Sequence, residues 1–452
     1  MVHPSFPTPR KVVAKPSARG RRATSVALMS DWKIGSDKRR RTTDQLRDFG
    51  AANEGQVEWD TEAPADFTYV YHPDRVLVRA ADADLFDRAV AQLAEGVLKG
   101  TPRRDVELLD GELVRYLLPE RGNRQTVPDI LDLLEEGGLR RGAASPDHWV
   151  HVSPGGGGGQ ACPATEPQET GLTEPWPPEA PQDKKSCDVS VVVVDTGWNP
   201  PSATDPRTPW LKGVDGDDEL NGPDLRTYAG HGTFIAGVVR CMAPETKIFV
   251  EGFAIGGLGG GGVLESDLVV QLEEALSHDP QVINLSAGCR TRHDLPSIAL
   301  ESFHRTRLRK RDCVLVAAAG NDSWSAPFWP AAFNWCVGVG SLDRDGRVSD
   351  FSNFGVSADV YALGRNLVNA FPDGTFVCHE SPDKGDIRVF STGLARWSGT
   401  SFAAPIVAGL IAREISETGA SAKDARDAVL ARAVYDSDPM IGPHQELRQP
   451  YA

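Results

Sequence analysis

The chain has 452 residues, 40% hydrophobic and 25% charged, with a formal net charge of −15. That length exceeds one ordinary domain and can bury a large core. Residues 1–50 hold twelve Lys or Arg and four acids, a local charge of +8 that leaves −23 for the remainder, which argues against nucleic acid as the target of the main body.

Residues 1–66 read as a basic, polar arm, with Arg19, Arg21, Arg22 and the run from Lys38 to Arg41, and this composition predicts disorder. The apolar stretch from Ala23 to Met29 is short and is not followed by a small-residue cleavage site. No run in the chain reaches the length of a membrane span. Seven cysteines lack the close pairing of a metal site, and Cys241, Cys289, Cys313, Cys336 and Cys378 lie in or beside apolar elements. That usage fits a reducing compartment, and the expected location is the cytoplasm.

Residues 67–140 predict a small α+β domain. Arg75–Arg79 reads as a strand, Leu85, Phe86, Val90, Leu93 and Val97 recur at helical spacing, and Asp110-Gly111 turns a hairpin between two apolar runs. A further helix is expected over Val127 to Glu136. Residues 141–186 read as a linker, with five consecutive glycines (155–159) for flexibility and Pro163, Pro167, Pro175, Pro177, Pro178 and Pro181 for stiffness.

From 187 to 440 strands and helices alternate, which predicts an α/β domain: a mainly parallel sheet with helices on both faces. Residues 441–452 are left as a tail. Val189–Val194 is a β-branched run ending in Asp195-Thr196-Gly197. His231 stands between glycines at a loop-to-helix junction, and Cys313–Ala319 is a second buried run ending in Gly320-Asn321. Gly399-Thr400-Ser401-Phe402-Ala403-Ala404-Pro405 opens a helix, with Pro405 expected in its first turn. A serine there meets the unpaired N–H groups and partial positive charge of a helix N-terminus. An imidazole must take its proton, and a carboxylate must orient that imidazole.

In this order and setting, Asp195, His231 and Ser401, with Asn321, resemble the catalytic motifs of the subtilisin-like (subtilase) serine peptidases. The resemblance implies an endopeptidase acting through an acyl-enzyme, with Asn321 and the Ser401 N–H holding the oxyanion. Activity should rise as His231 loses its proton. Protein or peptide substrates would bind as an extended strand, with Gly256 to Gly262, including Gly257, as one edge and Ser286-Ala287-Gly288 as the other. The primary pocket would be walled by Ala287, Gly288, Ala319 and Gly320, and such small walls imply a roomy, apolar pocket. Asn284 fits a structural role.

The resemblance also implies that residues 67–140 act as a propeptide-like intramolecular inhibitor, and the long exposed linker ahead of the peptidase domain is an expected place for self-processing. A permanent accessory domain, a non-enzymatic peptide- or partner-binding role and transpeptidation stay open as alternatives. No cofactor or metal is needed for this chemistry. Structural calcium would fall at Asp215, Asp217, Asp218 and Glu219, which read otherwise as a solvated loop. Phe402 stands where several relatives carry methionine, so peroxide should inactivate less readily by that route. Cys289 would add thiol sensitivity if it were exposed.

Overall fold

The computed structural model describes residues 49–51, 53, 55–60, 69–93, 96–122, 125–151, 164–171, 188–219, 222–252, 262–379, 383–439 and 441–447. The basic arm to residue 48, the glycine run 155–159, most of the linker prolines, and the expected cleft edge Gly256 to Gly261, Gly257 with it, lie outside the described residues.

The first layer comprises β1 (Val70–Arg79), α1 (Ala83–Val90), β2 (Arg103–Leu108), β3 (Leu113–Leu117), α2 (Val127–Glu136) and β4 (Ala144–His151). Strand β1 lies between β3 and β4, all antiparallel, with β2 beyond β3. Helix α2 starts where Thr126 and Asp129 cap each other reciprocally, which satisfies two donors that the helix itself leaves unpaired. Period-two alternation divides β1 between two cores. Val76 and Val78 pack with Phe86, Ile130 and Leu134, whereas Leu77 joins Leu268, Leu272, Leu300 and Phe303 from the following domain. Helix α1 stops at Val90, earlier than the apolar spacing predicts, and Leu93 and Val97 still pack against the same core as partly buried residues.

The main layer runs through β5 (Ser190–Asp195), β6 (Val214–Gly216), α3 (His231–Met242), β7 (Lys247–Gly252), β8 (Gly262–Leu264), α4 (Glu265–Ala275), β9 (Val282–Leu285), α5 (Ile298–Thr306), β10 (Val314–Ala318), β11 (Cys336–Leu342), β12 (Val360–Leu363), α6 (Thr400–Thr418), α7 (Ala422–Leu430), β13 (Val434–Asp438) and β14 (Gly442–Glu446). Its nine-stranded sheet has the order β13-β14-β12-β11-β10-β9-β5-β7-β6, parallel except for the β13–β14 hairpin. Both faces are covered, as the continuous apolar strands require. In β5, Val191 and Val193 pack toward α3 and α6, and Val192 and Val194 toward α4 and α5.

Three expected boundaries shift. Ala144–His151 is a strand of the first sheet and not linker, because Asp147 and His148 are buried against polar partners and interrupt the apolar signal. Gly442–Glu446 is a strand and not tail, since Leu447 N–H donates to Tyr361 O at the sheet edge. At the end of the arm, Phe49 is buried against Trp149, ring centroids 5.1 Å apart. Among the described residues, no helix is long and apolar enough to cross a membrane.

Candidate active site

Asp195 ends β5, and His231 opens α3, so the parallel sheet delivers both at the carboxyl ends of its strands, where such folds form their crevice. Gly230 takes φ +74°, a left-handed turn that favours glycine, and a side chain there would collide with Pro372. His231 Nδ1 lies 2.7 Å from Asp195 Oδ1, and both side chains are fully buried. The Thr196 N–H also donates to that oxygen, at 2.8 Å. With Nδ1 carrying the proton toward Asp195, Nε2 presents a lone pair, and it has no hydrogen-bond partner. The ring is clamped by Trp397 and Phe402, each with its centroid 5.3 Å away.

Ser401 is the second residue of α6 and is buried. Its hydroxyl donates to Ser286 O at 3.4 Å, so the expected bond from Ser401 to His231 is not formed in this arrangement. Pro405 also departs from expectation, because it lies beyond the first turn of α6. Lacking an N–H, it cannot donate to Ser401 O, its partner four residues back. Ser286 Oγ donates to that carbonyl instead, at 2.7 Å, and itself accepts from Asn284 Nδ2 at 2.9 Å. Asn284 thus takes the structural role expected of it, as the outer member of a chain that ends on the serine backbone.

Asn321 stands at the end of β10 with its Oδ1 committed to Thr400, accepting from the backbone N–H (2.8 Å) and from Oγ1 (2.9 Å). Thr400 Oγ1 in turn accepts from Gly320 N–H at 3.2 Å. This leaves Nδ2 as the donating end of the Asn321 amide. Beside it Asp322 is buried, and burial pushes its carboxyl up to about 7, with Arg290 opposing.

Gly288 and Gly320, expected as pocket walls, are closely packed rather than open. A Cβ at Gly288 would lie 2.2 Å from Phe328 Cε1, and one at Gly320 would lie 3.2 Å from Phe328 Cδ1. The buried Phe328 ring therefore packs directly on Gly288 and approaches Gly320, where Asn353 Nδ2 would lie nearer still to an added Cβ, at 2.3 Å.

Gly288 is also occupied along its backbone. It exchanges both hydrogen bonds with His151 at the end of β4, while Gly262, Val263 and Leu264 pair with His151, Val150 and Trp149. The first domain thus runs a strand between the two edges expected to hold an extended peptide. Val150 is buried in the same apolar cluster as Ala287, Leu268 and Val194. Asp147 accepts from the N–H and hydroxyl of Ser266 at the start of α4, and His148 bonds Glu265.

The acidic loop does not gather as a calcium site. Asp215 accepts from Gly216 N–H, Asp217 from Gly252 N–H, and Glu219 from Gly230 N–H at 2.7 Å, so three of its carboxylates are directed at backbone amides. Glu219 thereby braces the turn before His231, a function that its place in an acid-rich loop concealed. The metal-like grouping found among the described residues is Asp132, Glu135 and His293, and Arg292 already bridges its two acids. Cys289 is buried, which raises its thiol well above the ordinary range and removes the basis for thiol sensitivity.

Residues 186–445, more than half of the chain, match the model of the subtilase family. The chain is 32% identical over 241 residues to a thermophilic serine proteinase of Bacillus sp. (strain AK1), covering 51% of this chain and 52% of that protein. It is 26% identical over 244 residues to the major intracellular serine protease of Bacillus subtilis (strain 168), covering 50% of this chain and 68% of the relative. The match to the Bacillus sp. proteinase thus spans about half of that relative's length. Among solved structures, fervidolysin from Fervidobacterium pennivorans superposes with a TM-score of 0.52 at 19% identity, over 84% of this chain and 59% of that one, which is a likeness of fold.

Proposed function

Since the chain belongs to the subtilase family, we propose that it is a serine endopeptidase whose catalytic groups are Asp195, His231 and Ser401, with Asn321 as oxyanion donor. The observation that carries this reading is the buried Asp195–His231 pair, with Nε2 left as an acceptor beside the start of α6. His231 takes the Ser401 proton, the oxygen attacks a peptide carbonyl, and Asn321 Nδ2 with the Ser401 N–H stabilises the tetrahedral oxyanion. His231 then gives the proton to the leaving amine, and water reverses the sequence to free the acid. Asp195 holds the tautomer and the cation that forms. For this to proceed the Ser401 hydroxyl leaves Ser286 O and turns to Nε2.

The first domain acts on this reading as an intramolecular inhibitor. Strand β4 lies antiparallel to Gly288 and to Gly262–Leu264, the edges a substrate strand would use, so substrate and β4 exclude one another. Cleavage in the linker that follows His151 would leave β4 non-covalently held. The test is labelling with a fluorophosphonate together with intact mass after incubation. Wild-type protein is expected to label and Ser401→Ala protein not to; equal labelling of the two would refute the assignment. Shortening of wild-type but not Ser401→Ala protein is the expected sign of self-processing, and equal masses for the two would count against it.

A further inference from the structure

We propose that Phe328 fills the primary pocket and restricts cleavage to bonds that follow glycine, alanine or serine, an inference that rests on the peptidase reading above. On that reading the pocket lies between two backbone edges, Ala287-Gly288 and Ala319-Gly320, where glycine walls would leave space for a substrate side chain. Here the ring of Phe328 is in contact with both glycines, and only 2% of the residue is exposed.

The backbone that carries the ring is tied down on both sides. Phe328 N–H donates to Ser357 Oγ at 2.9 Å, and its carbonyl accepts from Ala332 N–H at 2.9 Å. The next residue, Trp329, exchanges both backbone hydrogen bonds with Cys289 at 2.8 Å, which ties the segment to the very strand that forms the pocket wall. Shifting the backbone that carries the ring would break this ladder or leave buried backbone groups without partners. A bulky side chain before the scissile bond therefore meets a fixed obstacle, whereas a methyl or hydroxymethyl group does not. Close packing makes even single methylenes count in such a space.

The test uses the full chain and three succinyl-tetrapeptide p-nitroanilides that differ only in the residue before the nitroanilide: Ala, Phe or Arg. Occlusion by β4 lowers all three rates by the same factor, so their ratios still read the pocket. The alanine substrate is expected to lead in kcat/KM by about tenfold or more over phenylalanine. Phe328→Ala should move the Phe-to-Ala ratio upward by at least about tenfold, and Phe328→Leu should move it less in the same direction, which covers the case of an alanine variant that does not fold. Preference for the Phe or Arg substrate in the wild type, or an unchanged ratio in variants that still label with a fluorophosphonate, would overturn the inference while leaving the peptidase reading standing. Absence of both turnover and labelling in the wild type would sink the two together.

Discussion

His151 and Gly288 exchange both of their backbone hydrogen bonds, His151 N–H to Gly288 O at 3.0 Å and Gly288 N–H to His151 O at 3.1 Å. A strand of the first domain is thereby bridged through its last residue to the wall of the candidate cleft. Its side chains reinforce the pairing: Val150 is buried among apolar residues of the main domain, and Phe49 packs edge-on against His151 at 4.8 Å.

Loosening this strand should raise activity. Val150→Asp places an unpaired charge in an apolar cluster, a change that disfavours the docked state strongly. Hydrolysis of a small peptide substrate by the full-length variant is expected to exceed that of the wild type by about tenfold or more, which corresponds to at least about 1.4 kcal/mol. Equal or lower rates from a folded variant would argue that β4 does not obstruct the cleft.

Asp147 makes the domain seam sensitive to pH. Burial raises its carboxyl to about 7, while its bonds to Ser266 pull the other way. A raised folded value means that the native state holds a proton the unfolded chain has released between about 4 and 7. The contribution to stability is therefore complete at the acid end of that window and is lost as pH rises through about 7. The amide introduced by Asp147→Asn would carry no charge at any pH, and it can still accept from the Ser266 N–H while donating to its hydroxyl. Thermal melts of wild type and Asp147→Asn should lie closest below about pH 4 and separate as pH rises to about 7, with the variant gaining relative stability; a constant difference across that range would contradict this origin.

Asn321→Ala should lower kcat by about 10²–10³ with KM little changed, because the amide is needed for the charge that appears in the transition state. The same substitution removes the acceptor for Thr400 N–H and Oγ1, so Asn321→Asp provides the control. It restores the acceptor without the donor, and should stay as slow as the alanine variant. Recovery of kcat by Asp would point to positioning of Thr400 as the whole effect.

Ser286→Ala should destabilise the start of α6 by about 1–3 kcal/mol, since it leaves Ser401 O without the donor that Pro405 cannot supply. The double variant with Pro405→Ala returns an N–H at the natural position and should recover part of the loss in chemical denaturation. Strict additivity of the two changes would show that the carbonyl had not been shared between them.

Much of this site was legible in the sequence. The β-branched run ahead of Asp195, the glycines around His231 and the small residues after Ser401 each mark a chain forced into a buried strand, a sharp turn or a close approach. Local chemistry of that kind survives in one dimension. The strand Ala144–His151 did not, because its inward-facing Asp147 and His148 are matched by Ser266 and Glu265, distant residues that turn a polar stretch into a buried one. Packing at the expected pocket walls was hidden for the converse reason. Gly288 and Gly320 suggested open space, and nothing near them in the chain announced that Phe328 and Asn353 would pack there.

From the order of residues alone came the layered α/β architecture and the proposal of an acid, an imidazole and a hydroxyl as one site, since each depends on patterns spanning a few neighbours. Tertiary packing decided the rest: that His231 binds Asp195 through Nδ1, that Ser401 rests on Ser286, that β4 pairs with Gly288, and that the Phe328 ring packs on that glycine. Those outcomes turn on which distant side chains compete for the same volume or the same hydrogen bond, and only a folded chain brings such competitors together.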